Sequence, residues 1–301
     1  MPAHSRPQDG VASLTPMSRA STPLLCGGKQ GVDGRDKPGH DAVRDDAMNP
    51  AAVDEVAKLF VQARTTGQRL DALPARLKPA SFADSCAVMD AVDRIVGEKI
   101  IGTKIAAKPG AEVVHTTLHA GRAFTSPARI PRALVPSQYM ECEISFRLTR
   151  DLPPRAAAYS EQEVFDSLEA CVAFEAVDCR FKDLAGTMAT SPYDFYADHI
   201  AAGAMVFGAF RNDWQDVDFT RIKVSMKQGG RTIIEKTGGH PTGNPAIPAM
   251  VLANLRRTTT GLKAGWIVVT GSFTGFHPVE LNQAVLGEFE GFGTMEATIA
   301  G

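Results

Sequence analysis

From Met1 to about Ala47 the chain shows neither the three-to-four-residue spacing of an amphipathic helix nor the alternation of a strand. Stretches such as GGKQGVDGRDKPGHD lack the apolar side chains needed to offset the entropy of ordering, which predicts a disordered tail over 1–47, with Met48 a candidate natural start. Ordered structure is predicted from Asn49-Pro50, a cap followed by a proline suited to a first helical turn. Val53, Val56, Ala57 and Phe60 then recur at helical spacing over about 50–65. A second helix is signalled by Ser81 with Asp84 three residues on, followed by Cys86, Val88, Met89, Val92, Ile95 and Val96. The two read as a helical N-terminal cap over 48–97.

Beyond Gly97 the pattern changes to short apolar or alternating runs broken by glycine and proline: KIIGTKIA, ECEISFRL, ACVAFEAVD, AMVFGAF, RIKVSMK, RTIIEK, WIVVTGSF and QAVLGEFEGFG. This predicts a β-rich catalytic domain over 98–301. Helices are expected at about 161–169, where Ser160 and Glu163 form a capping-box pattern, at about 192–202 and at about 248–259. The spacing does not repeat as βαβ units, so the class is α+β, with antiparallel strands and inserted helices.

Composition narrows the partners. Thirty-two Lys and Arg face 34 Asp and Glu, a formal charge of -2 with no like-charge block, which gives no reason to expect nucleic acid or a membrane surface. No apolar run approaches the roughly 18 residues of a membrane span. The start of the chain has no basic-then-apolar export signal. Five cysteines, an odd number with no C-x-x-C pair, argue against a disulfide framework and a zinc cage, and fit a reducing, cytoplasmic setting.

The sharpest chemical feature is the alternating segment Glu141-Cys142-Glu143-Ile144-Ser145-Phe146-Arg147-Leu148. In a strand both carboxylates point to one face with Cα atoms about 7 Å apart, within reach of one cation. Hard divalent cations take such oxygen ligands. The same pattern also suits the solvated face of a half-buried strand. Glu175, between Phe174 and Ala176, lies in a run too apolar for an ordinary surface; a charge there is either ligating or paired, with Arg180 and Lys182 as candidate partners.

The order GTKI, E-x-E, FE-x-V-x-x-R-x-x-D, ADH, GHP and LKAG-x-IVVTGS resembles the 2-oxopent-4-enoate hydratase group of the fumarylacetoacetate hydrolase superfamily, from about Asp54 to Ile299. The resemblance implies a mixed β-roll or sandwich core, fumarylacetoacetase C-terminal-like, with peripheral helices, in a homo-oligomer that acts on a small 2-oxo acid. It implies Mg²⁺ or Mn²⁺ held by Glu141, Glu143 and Glu175, with Lys104 of GTKIA as an anion clamp or, at lowered pKa, an acid/base. The implied reaction is hydration of a 2-hydroxypenta-2,4-dienoate to a 4-hydroxy-2-oxo acid, as in aromatic meta-cleavage catabolism. A 4-oxalocrotonate-type decarboxylase, an acylpyruvate C–C hydrolase and a non-catalytic oxo-acid binder are the alternatives.

Further residues follow from the same resemblance. Asp198-His199 matches an Asp-Asn pair, with Asp198 read as catalytic and His199 as substrate-binding, and Ala201 stands where a serine is common. His119 stands where relatives carry an acidic residue, which changes the charge and pKa of the water-activating position. His240 lies in a Gly/Pro-rich loop able to wrap a ligand, and Thr270, Gly271 and Ser272 close an apolar strand with hydroxyls suited to a carboxylate. Lys263 reads as a turn lysine. Pocket length is expected to depend on which of Phe124, Phe146, Phe195, Phe273 or Phe276 faces inward.

Overall fold

A computed structural model describes residues 47–301; the expected tail lies, apart from Ala47, outside the described residues. Helices α1 (Pro50–Thr66) and α2 (Phe82–Val96) begin and end where side-chain chemistry directs. Asn49 accepts from the Ala51 amide and Ser81 from the Asp84 amide, while Gly67 and Gly97 close them in the left-handed conformation. Their apolar faces meet through Val53, Val56, Phe60, Val88 and Val92, and Phe60 packs edge-on against Phe181 at 5.7 Å.

The remaining elements are β1 (Ile100–Ala106), β2 (Val114–His119), β3 (Ala123–Thr125), β4 (Ala128–Pro131), β5 (Tyr139–Leu148), α3 (Glu161–Phe165), β6 (Leu168–Val177), α4 (Leu184–Thr190), α5 (Pro192–Ala197), β7 (Ala202–Phe207), β8 (Lys223–Gln228), β9 (Arg231–Thr237), α6 (Ile247–Arg256), β10 (Ile267–Ser272), β11 (His277–Pro278), β12 (Val285–Phe289) and β13 (Gly293–Ala300). One sheet runs β2-β1-β10-β5-β6-β7-β3, with β11 also on β5; the other runs β4-β13-β12-β8-β9. The expected mixed sandwich with peripheral helices is present. The expectation of antiparallel pairing needs correction: β1 with β10, β3 with β7 and β4 with β13 are parallel, because long crossovers bring these partners together.

The even residues of β5, Cys142, Ile144 and Phe146, join Val172 and Phe174 of β6 and meet Val224, Met226, Phe289 and Met295 of the second sheet in the main core. Strict alternation sends the odd residues of β5 to the opposite face. On that side a second core joins α1 and α2 to Val177 at the end of β6 and to Phe195 and Ala197 of α5.

Three helix boundaries differ from expectation. The capping box at Ser160 and Glu163 is formed, yet α3 stops at Phe165 because Leu168 onward pairs with β5 along ten residues. The helix expected over 192–202 ends at Ala197. His199, Ile200 and Ala201 then take φ of 53°, 54° and 54°, a left-handed turn rare for residues with side chains. The third helix ends at Arg256 rather than 259.

Candidate functional site

Glu141 and Glu143 share a face by strand alternation, and the antiparallel register places Glu175 of β6 directly opposite Glu141. One ligand oxygen from each of the three lies within 4.8 Å of the others. Their exposures are 8%, 0% and 0%, so the solvated-face alternative for the E-x-E pair is corrected: this side of the sheet is covered as well. Lys104 on β1 reaches across with its Nζ 2.6 Å from Glu175 Oε1. The expected partners of Glu175 are engaged elsewhere, Arg180 with Asp198 and Lys182 with Asp71.

Three carboxylates against one ammonium leave two negative charges unbalanced when all are ionised. Burial, then the charge of Glu175, pushes Glu141 up to about 7 and Glu143 well above the usual carboxylate range. Burial works against the charge of Lys104, but the three glutamates outweigh it and raise its pKa, opposite to the lowered value that acid/base use was expected to require. Glu143 Oε1 and Glu175 Oε2 are buried without a hydrogen-bond partner. A set of hard oxygen donors with orphaned lone pairs and excess negative charge fits a divalent cation.

A second cluster adjoins the first. His119, at the end of β2, and His199, on the left-handed turn, each place Nε2 2.8 Å from the same oxygen of Asp93, Oδ1. The other oxygen accepts from the Thr117 hydroxyl at 2.8 Å. An ionised carboxylate only accepts, so both rings carry their proton on Nε2. Burial opposes the Asp93 charge, but the two histidines outweigh it and hold its pKa below the carboxylate range. Burial lowers His199 to about 3, so it is neutral at physiological pH. Asp93 escaped the sequence reading; its one signal was a carboxylate in line with Met89 and Val96 at helical spacing on an otherwise apolar stripe.

Glu175, His119 and His199 line one small cavity together with Arg64, Arg122 and Met205. The left-handed turn ties the two clusters together, because the Ile200 carbonyl accepts from Lys104 Nζ at 3.2 Å while the neighbouring His199 side chain meets Asp93. Arg180 engages both carboxylate oxygens of Asp198, its backbone amide donating to Oδ2 at 2.8 Å, and so braces this turn.

Gly271 donates its amide to Glu143 Oε2 at 3.3 Å, and the Ser272 hydroxyl, beside Glu141, partly offsets the rise in the pKa of that glutamate. His240 packs behind this segment, Nε2 3.0 Å from the Thr270 carbonyl, while the Thr270 hydroxyl donates to the Ile144 carbonyl at 2.9 Å. Lys263 pairs with Asp151 in an exposed turn. Of the phenylalanines, Phe146 and Phe273 lie in the core between the sheets, and Phe124 packs against that core. Phe195 and Phe276 belong to the helical layer, and none of the five lines the small cavity.

No protein-family model matches the chain. It is 27% identical over 210 residues to a 2-keto-4-pentenoate hydratase of Burkholderia vietnamiensis, covering 68% of this chain and 78% of that one. It is also 27% identical over 212 residues to a 2-keto-4-pentenoate hydratase of Paraburkholderia phymatum, covering 69% and 79%. Among solved structures, 4-oxalocrotonate decarboxylase from Pseudomonas putida G7, complexed with magnesium and adipate, superposes with a TM-score of 0.71 at 18% identity. The superposition covers 84% of this chain and 99% of that one, which establishes the shared fold.

Proposed function

We propose that this chain, a homologue of the 2-keto-4-pentenoate hydratases on the fold of 4-oxalocrotonate decarboxylase, is a divalent-metal-dependent hydro-lyase that hydrates a 2-hydroxypenta-2,4-dienoate type acid to a 4-hydroxy-2-oxo acid. The observation that carries this reading is the convergence of Glu141, Glu143 and Glu175 with two unbalanced negative charges in a buried site. These three residues would hold Mg²⁺ or Mn²⁺. When bound, the cation supplies electrophilic stabilisation for the charge that develops on the substrate's C2 oxygen.

The chain's own groups divide the remaining work. Lys104, fixed by Glu175 and the Ile200 carbonyl and kept charged by the three glutamates, presents an ammonium that clamps an anionic oxygen of the substrate. The 2-hydroxyl proton passes to C5; His119, with its Nε2–H on Asp93, keeps Nδ1 free to take a proton from the water whose oxygen bonds to C4, and a proton is returned to C3, so that one whole water is added. Gly271 and Ser272 steady Glu143 and Glu141, and Thr270 and His240 hold that strand end in place. Asp198 acts through Arg180 to keep the left-handed turn, and with it His199, facing the cavity.

Three wider properties belong to the same reading: a place in the catabolism of aromatic ring-cleavage products, a homo-oligomeric assembly and a cytoplasmic location. The four described cysteines are all buried and none is in a disulfide, which supports a reducing compartment, and among the described residues no helix is long and apolar enough to cross a membrane.

To test the reading, purified protein with Mg²⁺ or Mn²⁺ is given 2-hydroxypenta-2,4-dienoate, and loss of dienol absorbance is followed alongside product mass. Gain of one water, abolished by a chelator, is the expected result. Release of CO₂ from a 2-oxo dicarboxylate without hydration would replace this assignment with a decarboxylase.

A further inference from the structure

The cavity beside Glu175 is lined by two arginines, Arg64 on α1 and Arg122 in the turn after β2. Other arginines near the helical layer are matched to acids: Arg180 with Asp198 and Asp178, and Arg69 with Asp178. Arg64 and Arg122 form no ion pair among the described residues. The Nη1 of Arg122 donates to the Leu134 and Gly203 carbonyls at 3.2 and 3.1 Å. The head of Arg64 makes no hydrogen bond to any described residue, and its Nε is buried.

The acids at hand are already committed. Asp93 accepts from His119, His199 and Thr117, and Glu175 accepts from Lys104. Once Lys104 and a divalent cation balance the three glutamates, two half-buried arginines face a cavity with no acid left over to pair with them. Such an arrangement costs free energy until an anionic ligand completes it. Burial, reinforced by Arg180 and Arg122, lowers the Arg64 pKa to about 9, which leaves the group cationic at neutral pH.

We propose that Arg64 and Arg122 form a carboxylate subsite, so that the acid taken by this chain carries a second carboxylate at the end remote from its 2-oxo or 2-hydroxy group. The inference rests on the reading of the three glutamates as the site of the oxo-acid end. Glu175 is the shared residue, since it belongs to the glutamate cluster and also lines the cavity, and the subsite would take the end of the ligand that reaches past it. The cavity has room for about one water, less than a carboxylate needs, so the Arg64 head, which no hydrogen bond to a described residue holds, swings to make room and receive it. A guanidinium offers paired N–H groups matched to a carboxylate, and buried donors left unpaired discriminate against a ligand that lacks one.

The experiment uses two six-carbon probes matched in length, 2-oxoadipate and 2-oxohexanoate, titrated calorimetrically into the Mg²⁺-loaded full chain. The dicarboxylate should bind at least about ten-fold more tightly, as charge-assisted hydrogen bonds of ordinary strength require. Arg64→Gln should bring 2-oxoadipate down to the level of 2-oxohexanoate and leave the latter within about two-fold, with Arg64→Lys intermediate. Arg122→Gln should act likewise, and because it also frees two carbonyls its folding is checked by thermal melting. Equal binding of the two acids by the unmodified chain, or equal weakening of both by Arg64→Gln, overturns the subsite. Binding of neither acid removes the oxo-acid reading itself, and this inference with it.

Discussion

Among individual residues, the three clustered glutamates store like-charge repulsion that a cation relieves. Glu143→Gln removes one buried negative charge while keeping shape; Mg²⁺ affinity should fall at least about 100-fold by calorimetry, and hydration should vanish. The metal-free variant should melt no lower than the unmodified chain at pH 8, since it no longer buries that charge. The pH dependence has a definite sign. Glu141 and Glu143 have folded pKa values raised above their unfolded ones, so the metal-free fold binds extra protons and loses their stabilisation as pH rises through about 7. A bound cation must displace those protons. The gain in Tm from Mg²⁺, measured against a chelator control, should therefore grow from pH 5 to pH 8. Burial lowers His115, His199 and His240 to about 4, 3 and 4, and their stabilisation is lost as pH falls from about 6.5 toward those values. That trend is common to both samples and cancels in the difference; a gain that shrinks with pH would contradict the cluster's electrostatics.

Among the elements, the strand carrying Lys104 depends on close approach. A Cβ on Gly102 would run into the Ile267 carbonyl oxygen of the parallel neighbour β10, and backbone cannot yield as a side chain does. Gly102→Ala should cost about 2–4 kcal/mol in urea unfolding and lower kcat as well, because Lys104 is two residues along the same strand. Ser160→Ala should cost about 1 kcal/mol by removing the capping box of α3 and leave kcat unchanged, which separates loss of stability from loss of the site. The caps of α1 and α2 were legible because a cap is a contact among residues a few positions apart. The premature end of α3 was not, since pairing of β6 with β5 overrides a local helix signal. The left-handed turn at His199–Ala201 was equally hidden: its residues have no intrinsic preference for that backbone, and the lock of Asp198 on Arg180 and the reach of His199 to Asp93 hold it there.

For the molecule as a whole, a chain begun at Met48 should keep its melting temperature and its hydratase rate within about two-fold. The Met48 amide donates to Asp84 Oδ1 at 2.8 Å and its side chain packs on the helical layer, so the helical layer is anchored from that residue onward. Loss of activity on this shortening would assign a role to the preceding residues. The order of residue types was enough to specify the class of fold, the starts of α1 and α2 and the shared face of Glu141 and Glu143, because each follows from periodicity or from contacts between near neighbours, whereas α4, with no buried residue to mark a core-facing stripe, was not foreseen. The register that sets Glu175 against Glu141, the commitment of Lys104 to Glu175, the sharing of Asp93 by two histidines and the unpaired arginines emerged only once the chain was folded. These depend on which distant segments lie side by side and on how much water is removed between them. Spacing along a single chain encodes neither quantity.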